Sequence, residues 1–237
     1  MDAVGQAVRP RAGAARFVHD NGLTLFFGGL LLLALVGQSV AGLLEFNSQQ
    51  VAAGLEEVGY LHYLTTSDFA VDVAENWQSE FLQFFLYILA TVWLVQRGSS
   101  ESKDVDEAGP ESDQDQQVGA HAREDSPRWA RAGGLRLALY SRSLGVVMGT
   151  IFALSWLAQS VAGRAAYNAQ QLSQYQDPVS WPGYVGSPDF WSRTLQNWQS
   201  EFLAVAAMAA LSIYLRQRGS SESKPVGSPH ATTGEEG

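Results

Sequence analysis

The chain has 237 residues, with 15 Lys and Arg against 24 Asp and Glu, a net charge of −9 and no cysteine. The lack of cysteine excludes a disulfide-stapled fold, a thiolate metal centre and a cysteine nucleophile. The hydrophobic fraction of 46% is ordinary for a folded domain, but the apolar and the charged residues occupy separate stretches of the chain.

The first apolar stretch follows a basic N-terminal segment, and we expect residues 1–15 to be a disordered tail. Residues 23–44 carry no charge, and a helix of this length can cross a bilayer core of about 30 Å. A cleaved signal peptide is the alternative, because residues 39–41 resemble a small-x-small cleavage site. We favour an uncleaved span, since the block QSVAG at 38–42 recurs at 159–163 behind an internal apolar stretch.

A second helix is predicted after the polar loop that follows this span. Its apolar run at 81–95 is short for a span, but aromatic residues flank it as they do at membrane interfaces. The start is indicated by Ser67 and the acid next to it, and the sequence Gln-Arg-Gly at 96–98 is a helix stop. We therefore predict a second membrane span at about 76–96.

An acidic linker separates the two halves of the chain at 100–127. Nine acidic and two basic residues lie between positions 101 and 125, with almost no large apolar residue. Such a segment buries too little apolar surface to offset its ordering entropy, so we expect it to be disordered. The negative charge belongs to this linker, and without a basic patch the sequence gives no support for nucleic-acid binding.

The rest of the chain repeats the first part at an offset of 121 residues. Residues 16–103 match 137–224 at 31 of 88 positions, and the blocks QSVAG, NWQSEFL and QRGSSESK supply 20 of these matches. The first helical hairpin covers 16–99, and the second covers 128–219 with spans at about 144–163 and 197–217. The start of its second helix is indicated by Ser187 as N-cap, followed by Pro188 and Asp189 in the first turn. The predicted fold is an all-α integral membrane protein with four transmembrane helices, arranged as two parallel-repeat hairpins.

The basic residues predict the orientation in the membrane. Of the 15, only Arg164 and Arg193 lie in the two inter-helix loops. The positive-inside rule therefore places both termini and the linker in the cytoplasm. The C-terminal residues 220–237 are expected to form a disordered cytoplasmic tail.

Two of the repeated blocks place polar side chains near the outer ends of the helices. We predict one polar cluster from Gln38, Ser39, Asn76, Glu80, Gln159, Ser160, Asn197 and Glu201. The structural interpretation is that these side chains join neighbouring helices. The functional interpretation is a cation or proton site built on the two carboxylates. We favour the structural interpretation, because the residues lie near the interface rather than at the middle of the bilayer.

The third repeated block, QRGSSESK, ends each hairpin. Its candidate functional residues are Arg97, Gly98, Lys103, Arg218, Gly219 and Lys224. Arg and Gly stop a helix at the membrane surface, and this alone explains part of the block. Because all eight residues recur, a cytoplasmic docking surface or a contact between the two copies is the alternative.

The loops between the helices also carry repeated residues. Asn47 recurs as Asn168, and such a residue either caps the first helix of its hairpin, which is the commoner role, or lines the same polar cluster. Aromatic residues of the loops, at positions 60, 63, 181 and 184, are expected at the outer headgroups.

Two hairpins that carry QSVAG, NWQSEFL and QRGSSESK resemble an uncharacterised family of bacterial transmembrane proteins, common in actinobacteria. The resemblance covers most of residues 16–228. It implies a multi-pass protein of the bacterial inner membrane, and it implies no activity.

The predicted function is that of a non-enzymatic membrane protein: a scaffold, an accessory subunit or a component of the envelope-stress response. The sequence has no recognisable catalytic residue set, metal-ligand spacing or cofactor motif. The expected partners are the lipid bilayer and either a second copy or another membrane protein. The alternative is a small transporter or channel that uses Glu80 and Glu201.

Overall fold

The computed structural model describes residues 13–234, and no β-strand occurs in this part of the chain. Eight α-helices follow one another there: α1 (Gly13–Asp20), α2 (Gly22–Ala52), α3 (Tyr60–Tyr63), α4 (Ser67–Trp93), α5 (Gly134–Tyr140), α6 (Ser143–Ser173), α7 (Trp181–Val185) and α8 (Pro188–Leu211). The all-α class predicted from the sequence is confirmed. The helices also recur at the repeat offset, because α2, α3 and α4 are followed in the same order by α6, α7 and α8.

The chain divides into two compact units between Phe69 and Ala70. The first unit contains α1, α2, α3 and the first residues of α4. Its long helix α2 leaves most of its apolar side chains exposed, and Ser39 is the one residue of that helix that is buried. The apolar surface of α2 is therefore available to a nonpolar environment outside this unit.

The second unit contains the rest of α4 and all later elements, and its centre is aromatic. The Trp156 ring of α6 stacks on Phe190 of α8, with 6.1 Å between the ring centroids, and lies 5.8 Å from the Trp198 ring. Tyr184 of α7 meets Phe190 edge-on at 5.6 Å. Tyr184 and Phe190 are 0% and 2% exposed, so these rings form the packed contact between α6, α7 and α8.

Two of the described helices, α2 and α6, are long and apolar enough to cross a membrane. Each has 31 residues, and few of the residues in their most apolar windows are buried within the protein. The helices α4 and α8, with 27 and 24 residues, are long enough but less apolar than α2 and α6. The polar stretches 76–80 and 197–201 lower the mean hydropathy of their apolar halves, which explains the difference. The structure thus gives two candidate spans where the sequence predicts four.

The start of α8 follows the sequence prediction, and the start of α4 differs by one residue. Ser187 caps α8, because its hydroxyl accepts a hydrogen bond from the Phe190 N–H at 3.3 Å. In the first copy the hydroxyl of Thr66 accepts from the Phe69 N–H at 3.3 Å, and Ser67 is already helical. Thr66 stands 121 residues before Ser187, so the repeat offset identifies the capping residue correctly.

The second long helix of each hairpin ends before its predicted Gln-Arg-Gly stop. The helix α4 ends at Trp93 and α8 ends at Leu211, a few residues early. The two glycines of the stops, Gly98 and Gly219, have φ of 86° and 80°, and they form turns beyond the helix ends.

The segments predicted to be disordered differ from one another in the structure. Residues 1–12 and 235–237 lie outside the described part of the chain, and residues 13–15 begin α1. The linker 100–127 consists of turns and short 3-10 segments with mostly exposed side chains. Residues 220–234 form a series of turns whose side chains are also mostly exposed, although Lys224 and Thr233 are buried, with 1% and 7% of their surface exposed.

Candidate functional site

The block QSVAG receives aromatic side chains from the following short helix in both copies. In the first copy the hydroxyls of Ser39 and Tyr60 are 2.7 Å apart. In the second, the Trp181 indole N–H donates to the Ser160 hydroxyl at 3.0 Å. The bonds join positions that are equivalent under the 121-residue offset. Each serine therefore anchors one aromatic residue of the loop.

A second aromatic residue packs against the glycine of the same block and leaves no room for a side chain there. A side chain at Gly42 would collide with the Tyr63 hydroxyl, and one at Gly163 would collide with the Tyr184 hydroxyl. Both tyrosines are buried, with 3% and 0% of their surface exposed. The tyrosine rings therefore pack directly on the helix backbone.

The repeated asparagine of the loop closes each hairpin end by a pair of hydrogen bonds. The Asn47 amide accepts from the Val58 N–H at 2.8 Å and donates to the Val58 carbonyl at 3.0 Å. Asn168 makes the same two bonds with Val179, at 2.8 and 3.0 Å. This side chain fixes the loop backbone rather than lining a polar cluster.

The two asparagines of NWQSEFL bond to their own helices. The Asn76 amide donates to the Asp72 carbonyl at 2.7 Å, and the Asn197 amide donates to the Arg193 carbonyl at 2.9 Å. Glu80 is exposed, whereas Glu201 accepts a hydrogen bond from Ser79 at 3.3 Å. Side-chain hydrogen bonds between members of the predicted eight-residue cluster are absent from the described part of the chain.

The polar contacts of this region instead join α4 to α8, one helix from each repeat. The Trp198 indole N–H donates to the side-chain carbonyl of Gln78 at 2.8 Å. Next to it on α4, Ser79 donates to Glu201. Gln159 of α6 reaches α8 as well, with its amide nitrogen 3.4 Å from the Thr194 hydroxyl. Gln78, Gln159 and Thr194 are 0% exposed, so the contact is closed to solvent.

An ion-pair network that the sequence analysis did not identify lies at the N-terminal end of the same contact. The Arg193 guanidinium is 3.2 Å from Glu75, 3.7 Å from Asp189 and 3.9 Å from Asp72. The Tyr184 hydroxyl donates to Asp189 at 3.2 Å. Because Arg193 stands between the three carboxylates, the network joins α4 to α8 and leaves their charges partly neutralised.

A signal for this network exists in the repeat. Positions 72 and 193 are equivalent under the offset of 121 residues, and one is Asp while the other is Arg. A charge reversal at equivalent positions lets two copies of one helix attract each other. Comparison of the charges in the two copies would have predicted the pair.

The surroundings of the network raise the pKa of three of its members, Glu75, Tyr184 and Arg193. Burial raises the pKa of the Glu75 carboxyl above its ordinary value, and Arg193 offsets part of the rise. Burial and the neighbouring Asp189 carboxylate raise the pKa of the Tyr184 phenol. Tyr184 therefore stays protonated and acts as a hydrogen-bond donor at neutral pH.

The block QRGSSESK folds into the same turn in both copies. The Gln96 N–H donates to the Ser102 hydroxyl at 2.8 Å, and the Glu101 N–H donates to the Ser99 hydroxyl at 3.1 Å. The equivalent bonds of the second copy run from Gln217 to Ser223 at 2.9 Å and from Glu222 to Ser220 at 3.2 Å. The glycine with positive φ and two hydroxyl acceptors explain why several residues of the block recur.

The two turns contact each other, which was one of the roles considered for the block. The Ser99 hydroxyl is 3.0 Å from the Ser212 hydroxyl, and the Ser100 hydroxyl donates to the Glu222 carbonyl at 3.3 Å. The Lys224 ammonium donates to the Gly98 carbonyl at 2.5 Å. The ends of α4 and α8 are therefore tied to each other.

The lysine of each turn binds backbone carbonyl oxygens, but in different surroundings. Lys224 also donates to Thr232 at 2.9 Å and to His230 at 3.1 Å. Lys103 donates to the Gly109 carbonyl at 3.2 Å and pairs with Glu111 at 2.7 Å. Lys224 thus connects the C-terminal segment to the first repeat, whereas Lys103 binds only within its own linker segment.

Comparison with known proteins gives one family. The family model described as a domain of unknown function, DUF6766, matches residues 14–235. No curated protein and no solved structure matches the chain. Because the family model covers more than nine-tenths of the sequence, the chain belongs to the DUF6766 family.

Proposed function

We propose that this protein is a non-enzymatic, multi-pass membrane protein that serves as a scaffold or accessory subunit, for example in the envelope-stress response. It would lie in a bacterial inner membrane with both termini in the cytoplasm. The lipid bilayer and a second copy or another membrane protein are its proposed partners. No cofactor enters the proposal.

This proposal rests on the observation that the repeated polar residues hydrogen-bond to loops and turns of the protein itself. Ser39, Ser160 and the loop asparagines hold loop residues, and the residues of QRGSSESK hold turns. Arg193 takes up the charges of three carboxylates. Side chains engaged in this way stabilise a helical framework, which is the role expected of a scaffold.

The membrane location is supported by the surfaces of α2 and α6. Both helices expose apolar side chains along lengths that match a bilayer core of about 30 Å. The helices α4 and α8 would be the two remaining spans. Their charged N-terminal halves would lie at the outer interface, where ionised groups cost less than at the bilayer centre.

Cysteine accessibility tests the topology, because the native chain lacks cysteine and each introduced thiol reports alone. Ser48→Cys and Ser173→Cys lie at the C-terminal ends of α2 and α6, beyond the predicted spans, and Ser112→Cys lies in the linker. A membrane-impermeant maleimide should label the first two variants in intact cells and Ser112→Cys only after permeabilisation. Labelling of the linker thiol from outside would contradict the proposed orientation.

Ion flux in reconstituted vesicles separates the scaffold from the transporter alternative. We expect proton and potassium fluxes equal to those of empty vesicles for the native protein and for the double variant Glu80→Gln, Glu201→Gln. A native flux that the double variant abolishes, with both proteins equally folded, would contradict the scaffold and establish transport.

A further inference from the structure

Two buried glutamine side chains from different helices meet the same short stretch of α8. Gln78 of α4 accepts a hydrogen bond from Trp198, and Gln159 of α6 contacts Thr194. Thr194 and Trp198 are one helical turn apart, which is about 5.4 Å along the axis of α8. The two amide groups therefore bond to side chains of α8 that are one turn apart.

The Trp156 indole completes this group of polar side chains. Trp156 is three residues before Gln159 on α6, so both lie on the same face of that helix. Its ring is 5.8 Å from the Trp198 ring. Gln78 and Trp156 thus both contact Trp198, and Gln159 contacts Thr194 one turn before it.

Three polar atoms of this group have no hydrogen-bond partner among the described residues. They are the Gln78 amide nitrogen, the Trp156 indole nitrogen and the Gln159 amide oxygen, and all three atoms are buried. Native proteins pair nearly all of their buried polar atoms with protein groups or with ordered water.

A different orientation of the amides does not remove the unpaired atoms. The Trp198 indole can only donate, so the Gln78 oxygen must face it and the Gln78 nitrogen must point elsewhere. The hydroxyl of Thr194 can donate or accept. Rotation of the Gln159 amide would therefore exchange which of its two polar atoms is unpaired, without pairing both.

We propose that these three side chains bind one internal water molecule. The water accepts hydrogen bonds from the Gln78 amide and the Trp156 indole, and it donates one to the Gln159 amide oxygen. Internal waters in proteins make about three such bonds. An ion is a poor fit, because the set has two donors, one acceptor and no charged side chain.

The site is built once, in the second unit, although the chain is duplicated. The repeat equivalent of Trp156 is Leu35, which has no polar group. The equivalent of Gln78 is Gln199, which is exposed. The two repeats have therefore diverged at this position, and only one combination of helices brings the three groups together.

Nuclear magnetic resonance of the full-length protein in nanodiscs tests the proposal. The indole groups of the seven tryptophans would be labelled with nitrogen-15, and Trp156→Phe would assign the Trp156 signal. We expect a cross-peak between the Trp156 indole proton and a long-lived water. The Trp198 indole is the internal control and should show no such peak, because it donates directly to Gln78.

Two variants exclude other sources of that signal. Thr194→Val removes the exchangeable hydroxyl proton nearest the site, and the cross-peak should persist. Gln159→Leu removes the acceptor and should abolish it, whereas the matched change Gln199→Leu at the exposed equivalent of Gln78 should leave it unchanged. A native Trp156 indole with no water cross-peak, or with cross-peaks to lipid protons instead, would overturn the proposal whether or not the variants fold.

Discussion

At the scale of single residues, the repeated blocks are explained mainly by close contacts rather than by chemistry. Gly42 and Gly163 leave room for a tyrosine hydroxyl, and Gly98 and Gly219 adopt positive φ. Each of these positions excludes a side chain for a stated steric reason. The identity of these glycines in the two copies therefore follows from the fold.

Gly163→Ala should destabilise the second hairpin end, because the added methyl group meets the Tyr184 hydroxyl and ring. We expect a loss of about 1–3 kcal/mol, typical of overpacking, in denaturant titrations of the detergent-solubilised protein. Gly37→Ala on α2 is the control, since a methyl group there meets nothing within 4 Å. Equal stability of the native protein and Gly163→Ala would contradict the packing argument.

The Arg193 network predicts a pH dependence with a defined sign. Burial raises the pKa of Glu75 in the folded protein, so the contribution of this group to stability is complete below its unfolded pKa and declines as pH rises through the folded pKa. Replacement of Arg193 by Gln removes the cation that offsets this loss. The stability deficit of Arg193→Gln should therefore be larger at pH 7 than at pH 4.5, as thermal unfolding at the two values would reveal.

The matched variant is Arg164→Gln on α6, because Arg164 bonds to the Val179 carbonyl and not to the three carboxylates. Its effect on stability should be the same at both pH values. This prediction would be contradicted if the loss of stability in Arg193→Gln were the same at both pH values or smaller at pH 7. The three carboxylates would then have other cationic partners.

At the scale of elements, the sequence predicts the existence of each long helix and the duplication of the hairpin. It also predicts the Ser187 cap, since Ser-Pro-Asp is a local signal. It does not predict that Gln78 and Ser79 face α8 of the other repeat. Periodicity places residues on one face of a helix, but it does not tell which neighbouring helix that face meets.

The sequence predicts that the Arg and Gly of QRGSSESK stop each helix, but it does not predict the turn that the rest of the block forms. The tail after Lys224 is rich in Gly, Ser, Pro and Thr, a composition that predicts disorder. In the structure the Lys224 ammonium binds carbonyl oxygens on both sides of the turn, which holds this tail in place. Such long-range bonds to the backbone leave no signal in the side-chain pattern.

Lys224→Gln should release the C-terminal segment from the first repeat. The ammonium is buried and has several carbonyl acceptors, so we expect a loss of about 1–3 kcal/mol in local stability. Hydrogen exchange should increase at the Gly98 and Gly234 amides, which bond across this contact. Lys103→Gln is the matched control. If hydrogen exchange at these two amides rose equally in both variants, the role assigned to Lys224 would be contradicted.

At the scale of the whole molecule, the duplication gives two similar hairpins that serve unequal roles. In the second unit the helices α4 and α8 are joined by an ion-pair network, a buried polar contact and a pair of turns. The equivalent residues on the two helices are not used in the same way, as the pairs Asp72 with Arg193 and Gln78 with Gln199 show. The two copies of this helix thus contribute different residues to the contact between them.

This contact predicts that the two halves of the protein stay together without a covalent linker. A protease site placed at 113–116, where the chain is exposed, would allow cleavage between α4 and α5. Because Gln78, Ser79 and Glu75 of the first half bond to residues of the second, an affinity tag on the first half should recover the second half in mild detergent. The double variant Arg193→Glu, Gln78→Leu should reduce that recovery while Arg164→Gln does not. Separation of the native halves on cleavage would show that the linker, rather than the pairing of α4 with α8, keeps the repeats together.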